Sequence, residues 1–368
     1  MIEKLLEGIR ILDFTNYLPG PFATQRLADL GAEVIKVEPL AGDPARHTGI
    51  KREGTGVVYL SNNRGKLSVA VDLKKEEDRE KILSLVERCD VMMESFRPGV
   101  MSRFGLDYET LKIRKNDVIY CSITGYGNKG EWSKLGSHDI NYMALSGLLA
   151  QLKDRSGRPI HPSITIADYL GSMAACEMVL ALLWKKERSG LGGYHSISLT
   201  DVATSIMGTH LSIHQEVGEE QGITLLNGEL ISYGIYETKN GRYMALGALE
   251  YKFWQNFCEA VDREEWLGAH FSVRRATNPV AQGMEELFTS RTFEEWTIFS
   301  QRVDCCLTPV LEVGELSRYP YFIENKSVFQ DKAGNVKVTM HGGSPNGYKH
   351  APTVGEHTVR LLDELNES

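Results

Sequence analysis

The opening stretch of the chain restricts the fold more than any other feature. Residues 8–14, Gly-Ile-Arg-Ile-Leu-Asp-Phe, are a short apolar run. They are followed by the turn Leu18-Pro19-Gly20-Pro21-Phe22. Proline near a helix start predicts a helix over residues 23–30, stopped by Gly31. Residues 32–38, Ala-Glu-Val-Ile-Lys-Val-Glu, then read as a second strand. A strand, helix and strand this close together require parallel pairing through a right-handed crossover. Residues 67–73, 90–94 and 118–123 supply further strands, with a charged helix over 76–88. The first half is therefore expected to be an open, doubly wound, Rossmann-like α/β sheet. The first turn has no Gly-x-Gly-x-x-Gly pattern, which counts against a dinucleotide held by its pyrophosphate.

Further on, residues 169–188 form a nearly apolar helix that ends at Gly190. Residues 193–199 read as a strand, and Asp201 as a helix cap. From about residue 222 the character changes. Strands over 233–238 and 242–247 flank Lys239-Asn240-Gly241, an Asn-Gly hairpin. Helices follow near 251–261 and 292–303, so a smaller α+β domain is expected. The tail, residues 347–368, carries Pro352-Thr353-Val354-Gly355-Glu356-His357-Thr358 and a closing helix.

With 368 residues, two domains or one large α/β unit are expected. A formal net charge of −8 argues against general nucleic-acid binding. No apolar run reaches the ~18 residues of a membrane span, so no membrane partner is expected. The N-terminus lacks a signal-peptide pattern. Cysteines 89, 121, 176, 258, 305 and 306 show no metal-ligand spacing, so no metal is expected, and reduced thiols in a cytoplasm fit best.

Two positions carry the chemistry. A glycine-rich stretch over 125–136 gives way to Ser137-His138-Asp139-Ile140-Asn141-Tyr142, where a helix begins. His138 falls at its start, where partial positive charge disfavours imidazolium. A neutral imidazole at pH 7 is what a general base needs. At residues 164–171 the arrangement recurs: a β-branched run stops at Asp168 and a long helix follows. The blander readings are a histidine bonded to its own backbone and a plain N-cap aspartate.

Several stretches together resemble the class III CoA-transferase family, which also contains the α-methylacyl-CoA racemases. They are Pro19-Gly20-Pro21-Phe22, residues 28–38, Asp72-Leu73-Lys74, Phe96-Arg97-Pro98-Gly99, Asp168, residues 245–250, Thr308-Pro309-Val310 and Gly355-Glu356-His357-Thr358. They run in family order over nearly the whole chain. The resemblance implies a large CoA-binding domain built from both chain ends, here 1–195 and 328–368. It implies a small domain over 230–312, with linkers at 196–229 and 313–327. It also implies two ring-like monomers interlocked as a homodimer.

The racemase branch resembles this chain at residues 138–142 and at Gly247-Ala248-Leu249-Glu250. The resemblance implies that His138 and Asp168 are paired acid/base groups, with Glu250 bonded to the histidine. The expected reaction is epimerisation of the α-carbon of a 2-methylacyl-CoA. Backbone N–H groups at the Asp168 helix start are expected to stabilise the enolate. The alternative is a CoA-transferase that uses Asp168 as nucleophile through an acyl-aspartyl intermediate. Transferases often carry a glycine-rich loop over that aspartate, and residues 227–234, Asn-Gly-Glu-Leu-Ile-Ser-Tyr-Gly, are not such a run. A nucleotide-dependent oxidoreductase and a silent acyl-CoA binder are weaker alternatives.

No permanently bound cofactor is expected; the CoA thioester is substrate. Its anionic end needs local positive charge. Lys74, Arg97 and Arg103 follow strands of the first domain, and the family places CoA contacts near Asp72-Leu73-Lys74 and Phe96-Arg97. A basic residue often follows the acid of the second strand in the family. Here Pro39 stands there, and Arg46 is expected to supply the charge. Asp139, read as a cap, and Tyr142 complete the set on the CoA side. Met143, Met173 and Met244 read as core rather than acyl-pocket lining.

Overall fold

The computed structural model describes residues 4–154, 156–330, 336–339 and 350–363. Residues 347–349 and 364–368, the two ends of the tail, lie outside the described residues. The chain divides into two compact units: one of residues 1–207 with 320–368, the other of residues 208–319. Both breaks fall within the stretches expected to connect domains. Those stretches are not extended, however. Residues 196–229 hold the end of a strand and the helices Leu199–Ser205 and Gly208–Val217.

The first unit is built on six parallel strands: β1 (Arg10–Phe14), β2 (Glu33–Glu38), β3 (Leu67–Ala70), β4 (Val91–Glu94), β5 (Ile119–Thr124) and β6 (Gly193–Ser198). Their order across the sheet is β3-β2-β1-β4-β5-β6, so the chain reverses direction between β1 and β4. All-parallel strands need cover on both faces, and the sequence supplies it. Ile11, Val91, Met93, Ile119 and Cys121 face one side. There they pack against α1 (Pro19–Asp29) and α4 (Ile166–Ser189). Leu12, Ile35, Val69 and Met92 face the other side, covered by α2 (Glu76–Glu87). Helix α1 starts four residues before the expected position: Pro19 needs no N–H donor, so the helix begins on it.

Helix α4 is apolar nearly all round. On length and composition it could cross a membrane, where the sequence reading found no span. Its Gly171, Ala175 and Val179 stripe is instead buried in the core beside α1 and β5. A Cβ on Gly171 would collide with Leu199, so glycine allows that close approach.

The tail belongs to the first unit. Beyond residue 350 it runs along β3, the outer strand. Ser68 N–H donates to His357 Nδ1 (3.2 Å), Ala70 N–H to Thr358 Oγ1 (2.9 Å), and His357 N–H to the Ser68 carbonyl (2.9 Å). Leu361 and Leu362 then close the core on the α2 side.

The second unit holds an antiparallel sheet. Strands β7 (Tyr233–Glu237) and β8 (Tyr243–Gly247) form the expected hairpin, and β9 (Leu307–Pro309) pairs with β8. Trp254 and Phe257 of α5 (Tyr251–Ala260) pack with Phe288 and Trp296 into a stacked aromatic core. Helix Phe293–Ser300 starts on a Thr292–Glu295 capping box. The helix Pro279–Ser290 was not legible from the sequence pattern.

Candidate active site

In open α/β sheets, ligands bind outside the C-terminal strand ends where the winding reverses. Here that point lies between β1 and β4, and Asn16 N–H donates to Ser95 Oγ across it (3.0 Å). Tyr17, one residue on, holds a left-handed backbone at φ 63°, an uncommon state for a non-glycine residue. The chain then enters α1.

The N-terminus of α4 docks on this turn. The Phe22 and Tyr169 rings meet edge to face at 4.9 Å, and the Ser172 hydroxyl reaches the Pro19 carbonyl (2.7 Å). Asp168 occupies the first turn of α4, half-buried. The N-cap position of α4, Thr165, makes no side-chain cap bond. The cap comes from another helix, α3 (Asp139–Leu145). Asp139, buried at the start of α3, accepts the Asp168 N–H on Oδ1 at 2.9 Å, and the Ala167 N–H as well. Burial, followed by the charge of Asp139, pushes the Asp168 carboxyl up to about 7. The N–H groups expected to stabilise an enolate are thus occupied by a carboxylate, which corrects that expectation.

His138 immediately precedes α3, and its side chain is exposed. Its backbone N–H donates to Asn141 Oδ1 (3.0 Å). The bond from Asp139 to Asp168 therefore ties the two helix starts that carry His138 and Asp168. Tyr142 is buried; its hydroxyl accepts from Ser137 Oγ (3.0 Å), and its ring packs on Tyr126. It supports the wall behind Asp168 rather than presenting a free group to a ligand. Glu250 occupies the N-cap position of α5 in the second unit without a side-chain cap bond, and its side chain is exposed.

The expected CoA contacts separate into two groups. Lys74, Arg97 and Arg103 have exposed side chains after β3 and β4. Asp72 shapes the turn below Lys74 by accepting its N–H (3.1 Å), while Leu73 and Phe96 lean on the core. Arg46 is different and is removed from the set. Its side chain is 5% exposed, and its Nε and Nη2 donate to Glu38 at 2.8 and 2.6 Å. Nη1 donates to the Pro352 carbonyl (3.0 Å), and the guanidinium lies 3.6 Å over the Tyr59 ring. With Nη2 also bonded to the Tyr59 hydroxyl, four of its five N–H donors are engaged and its charge is neutralised by Glu38, so this buried cation is not set to hold a phosphate.

Arg46 belongs to a buried network that pattern reading missed. Lys36 pairs with Asp43 at 2.9 Å and Lys66 with Asp13 at 3.0 Å, all with fully buried side chains. Lys66 also donates to Thr24 Oγ1, Asn63 Oδ1 and the Pro21 carbonyl. Burial opposes ionisation of Asp13, but Lys66 and Lys36 outweigh it and hold the carboxyl far below its usual range. The alternating Lys-Val-Glu pattern of β2 was the available signal: Lys36 and Glu38 are charges inside a strand buried on both faces.

A second unread feature is a cleft of about 240 Å³ beyond β4 and β5, lined by Glu94, Arg97, Tyr108, Tyr120, Asn128 and Tyr194 among others. Burial pushes the Glu94 carboxyl up to about 7, although the Phe96 N–H donates to it (2.7 Å). Among the described residues, no group of histidines, cysteines or acids is arranged to hold a metal.

Fold and site define an α/β protein with a near-neutral carboxylic acid beside the switch-point crevice of a parallel sheet. The family model described as CoA-transferase family III matches residues 6–358. The chain belongs to this family, and so to its acyl-CoA enzymes. It is 32% identical to mouse alpha-methylacyl-CoA racemase, covering 99% of this chain and 94% of that one. It is 30% identical to human succinyl-CoA:glutarate CoA-transferase, covering 98% and 86%. The crystal structure of Rv3272, a hypothetical protein from Mycobacterium tuberculosis, matches with a TM-score of 0.81 at 28% identity, covering 97% of this chain and 98% of that one.

Proposed function

We propose that this protein epimerises the α-carbon of a 2-methylacyl-CoA thioester by two-base proton transfer, His138 serving one face and Asp168 the other. The observation that carries this reading is the setting of Asp168, half-buried in the first turn of α4 and tied through Asp139 to the helix start that carries His138, with burial pushing its carboxyl up to about 7. A carboxyl that titrates near 7 can both accept and deliver a proton at neutral pH. A carboxylate nucleophile, as the transferase reading requires, works best fully ionised. In one direction His138 takes the α-proton, the thioester becomes an enolate, and protonated Asp168 returns a proton from the opposite face. In the other direction the roles exchange.

Arg97, Lys74 and Arg103 serve the anionic end of CoA in this reading. The six free thiols, five of them buried, support a reducing compartment such as the cytoplasm. A second copy of the chain covers the apolar face that α4 leaves exposed, in keeping with the expected homodimer. A helix apolar all round is ordinarily buried all round.

The test is incubation of a 2-methylacyl-CoA in deuterated water. Deuterium should enter the α-position and both epimers should appear. His138→Ala should abolish epimerisation, retain CoA-thioester binding and leave exchange on one face through Asp168; Asp168→Ala should leave the complementary exchange. Acyl exchange with an added acid, together with hydroxylamine trapping of an acyl group on Asp168, would replace this reading with the transferase one.

A further inference from the structure

Asp139 caps a helix that is not its own. A helix start leaves backbone N–H groups unpaired, and these are ordinarily satisfied by the helix's own N-cap side chain. Thr165 makes no such bond, and α4 instead receives the buried Asp139 carboxylate from a different helix, 29 residues earlier in the chain. This has two physical effects. The bond to the Asp168 N–H holds the backbone of the residue that does the chemistry. The carboxylate also occupies the positive end of α4, which would otherwise favour an ionised Asp168, and sets a like charge beside it.

We propose that Asp139 is a positioning residue for Asp168, fixing the helical turn that carries it and setting a like charge beside its carboxyl. The inference rests on the acid/base reading of Asp168 given above. The other groups facing Asp168 do not offset the charge of Asp139. Tyr142 on α3 is a buried phenol, itself pushed up by burial, and Tyr169 on α4 is pushed up by the same cause. From α1, the Phe22 ring meets Tyr169 and the Pro19 carbonyl accepts from Ser172, and neither carries charge. Arg26 of α1 acts on Cys176, two turns further along α4. Asp201, on the helix Leu199–Ser205 that also packs on α4, is exposed and would add the same sign. Burial and Asp139 are thus the two causes acting on Asp168.

Asparagine at 139 keeps an oxygen to accept the Asp168 N–H and removes the charge. Alanine removes both. The experiment follows the carboxyl carbon of Asp168 by NMR titration of protein labelled with ¹³C-aspartate, the signal being assigned by its loss in Asp168→Asn. This readout requires no turnover, so it is independent of whether the enzyme is a racemase or a transferase. The wild-type midpoint should lie near neutrality. Asp139→Asn should lower it by about one unit or more while leaving the thermal midpoint close to wild type. Asp139→Ala should also lose thermal stability, by roughly the cost of a lost N-cap, about tenfold in the folding equilibrium.

In turnover, the acid limb of kcat/KM in the direction where Asp168 takes the proton should move down with the Asp139→Asn midpoint. An unmoved Asp168 midpoint in Asp139→Asn overturns the proposal. So does Asp139→Ala with both midpoint and stability intact. If the midpoint moves as stated but acyl exchange replaces epimerisation, the proposal stands and only the racemase reading fails.

Discussion

Replacing Arg46 with methionine separates a structural cation from a substrate-binding one. The side chain is removed from a site that is 5% exposed, and two charge-assisted bonds to Glu38 and one to the Pro352 carbonyl go with it. Glu38 keeps only the Ser68 hydroxyl (2.7 Å) and the Asp43 N–H (2.9 Å) among its strong donors. Breaking a buried ion pair from one side costs about 3–5 kcal/mol. For a domain of this size that is a fall in Tm on the order of 10 °C.

The pH dependence follows from Glu38. Burial pushes its carboxyl up, but the Arg46 and Ser68 hydrogen bonds outweigh burial and hold it below the usual range. The wild-type pair therefore contributes stability above the unfolded carboxylate pKa, lost only as pH falls through the lowered folded value. In Arg46→Met the unpaired carboxyl should rise instead, so the deficit should be largest near pH 8 and shrink towards pH 5, where Glu38 takes up a proton. Glu38→Gln with Arg46→Met should lose less than the sum of the single changes, by about 1–3 kcal/mol.

The assays are urea and thermal denaturation across that pH range, with calorimetric titration of CoA into whatever fraction is folded. Wild-type stability combined with a tenfold weaker CoA affinity would refute the assignment and return Arg46 to the CoA set.

Charge reversal at Arg97, exposed after β4, should weaken CoA-thioester binding by more than roughly tenfold with a steep salt dependence, measured by titration at two ionic strengths; an unchanged dissociation constant removes Arg97 from the site. Helix α4 leaves Met173, Leu180 and Trp184 exposed at 42%, 39% and 65%. The wild type should sediment as a dimer at micromolar concentration and Trp184→Lys should shift it towards monomer, whereas a wild-type monomer would contradict the assignment of that face to a second copy.

The doubly wound sheet was legible because buried parallel strands must be short, β-branched and apolar. Residues 119–124 carry that pattern free of charge, and residues 10–14 and 33–38 carry it around the charged Asp13, Lys36 and Glu38. The existence of α4 was legible for the same reason, but its start was not: the helix begins at Ile166, three residues before the expected position, which places Asp168 inside the first turn. Nor was the partner of Asp168 legible. Asp139 reads locally as the cap of α3, and nothing in spacing alone reveals that its oxygen turns to α4. Arg46 failed in a related way. A cation after a strand end looks like an anion ligand until the buried carboxylate it neutralises is known, and Glu38 belongs to a strand eight residues earlier. Charges along one segment report local chemistry, whereas pairing across the sheet is a property of the closed fold.

The return of the tail to β3 also dictates an order of events during synthesis. The outer edge of the sheet is capped by His357 and Thr358, and its lower core is closed by Leu361 and Leu362. All four leave the ribosome after residues 208–319, the whole of the second unit. Until then the nascent first unit carries an open strand edge, with the Ser68 and Ala70 amides unpaired and an apolar face uncovered. Such edges template wrong pairing between chains. The protein therefore passes through an interval, one intervening domain long, when it depends most on dilution or on chaperones, and slowed translation across 208–319 prolongs that exposure.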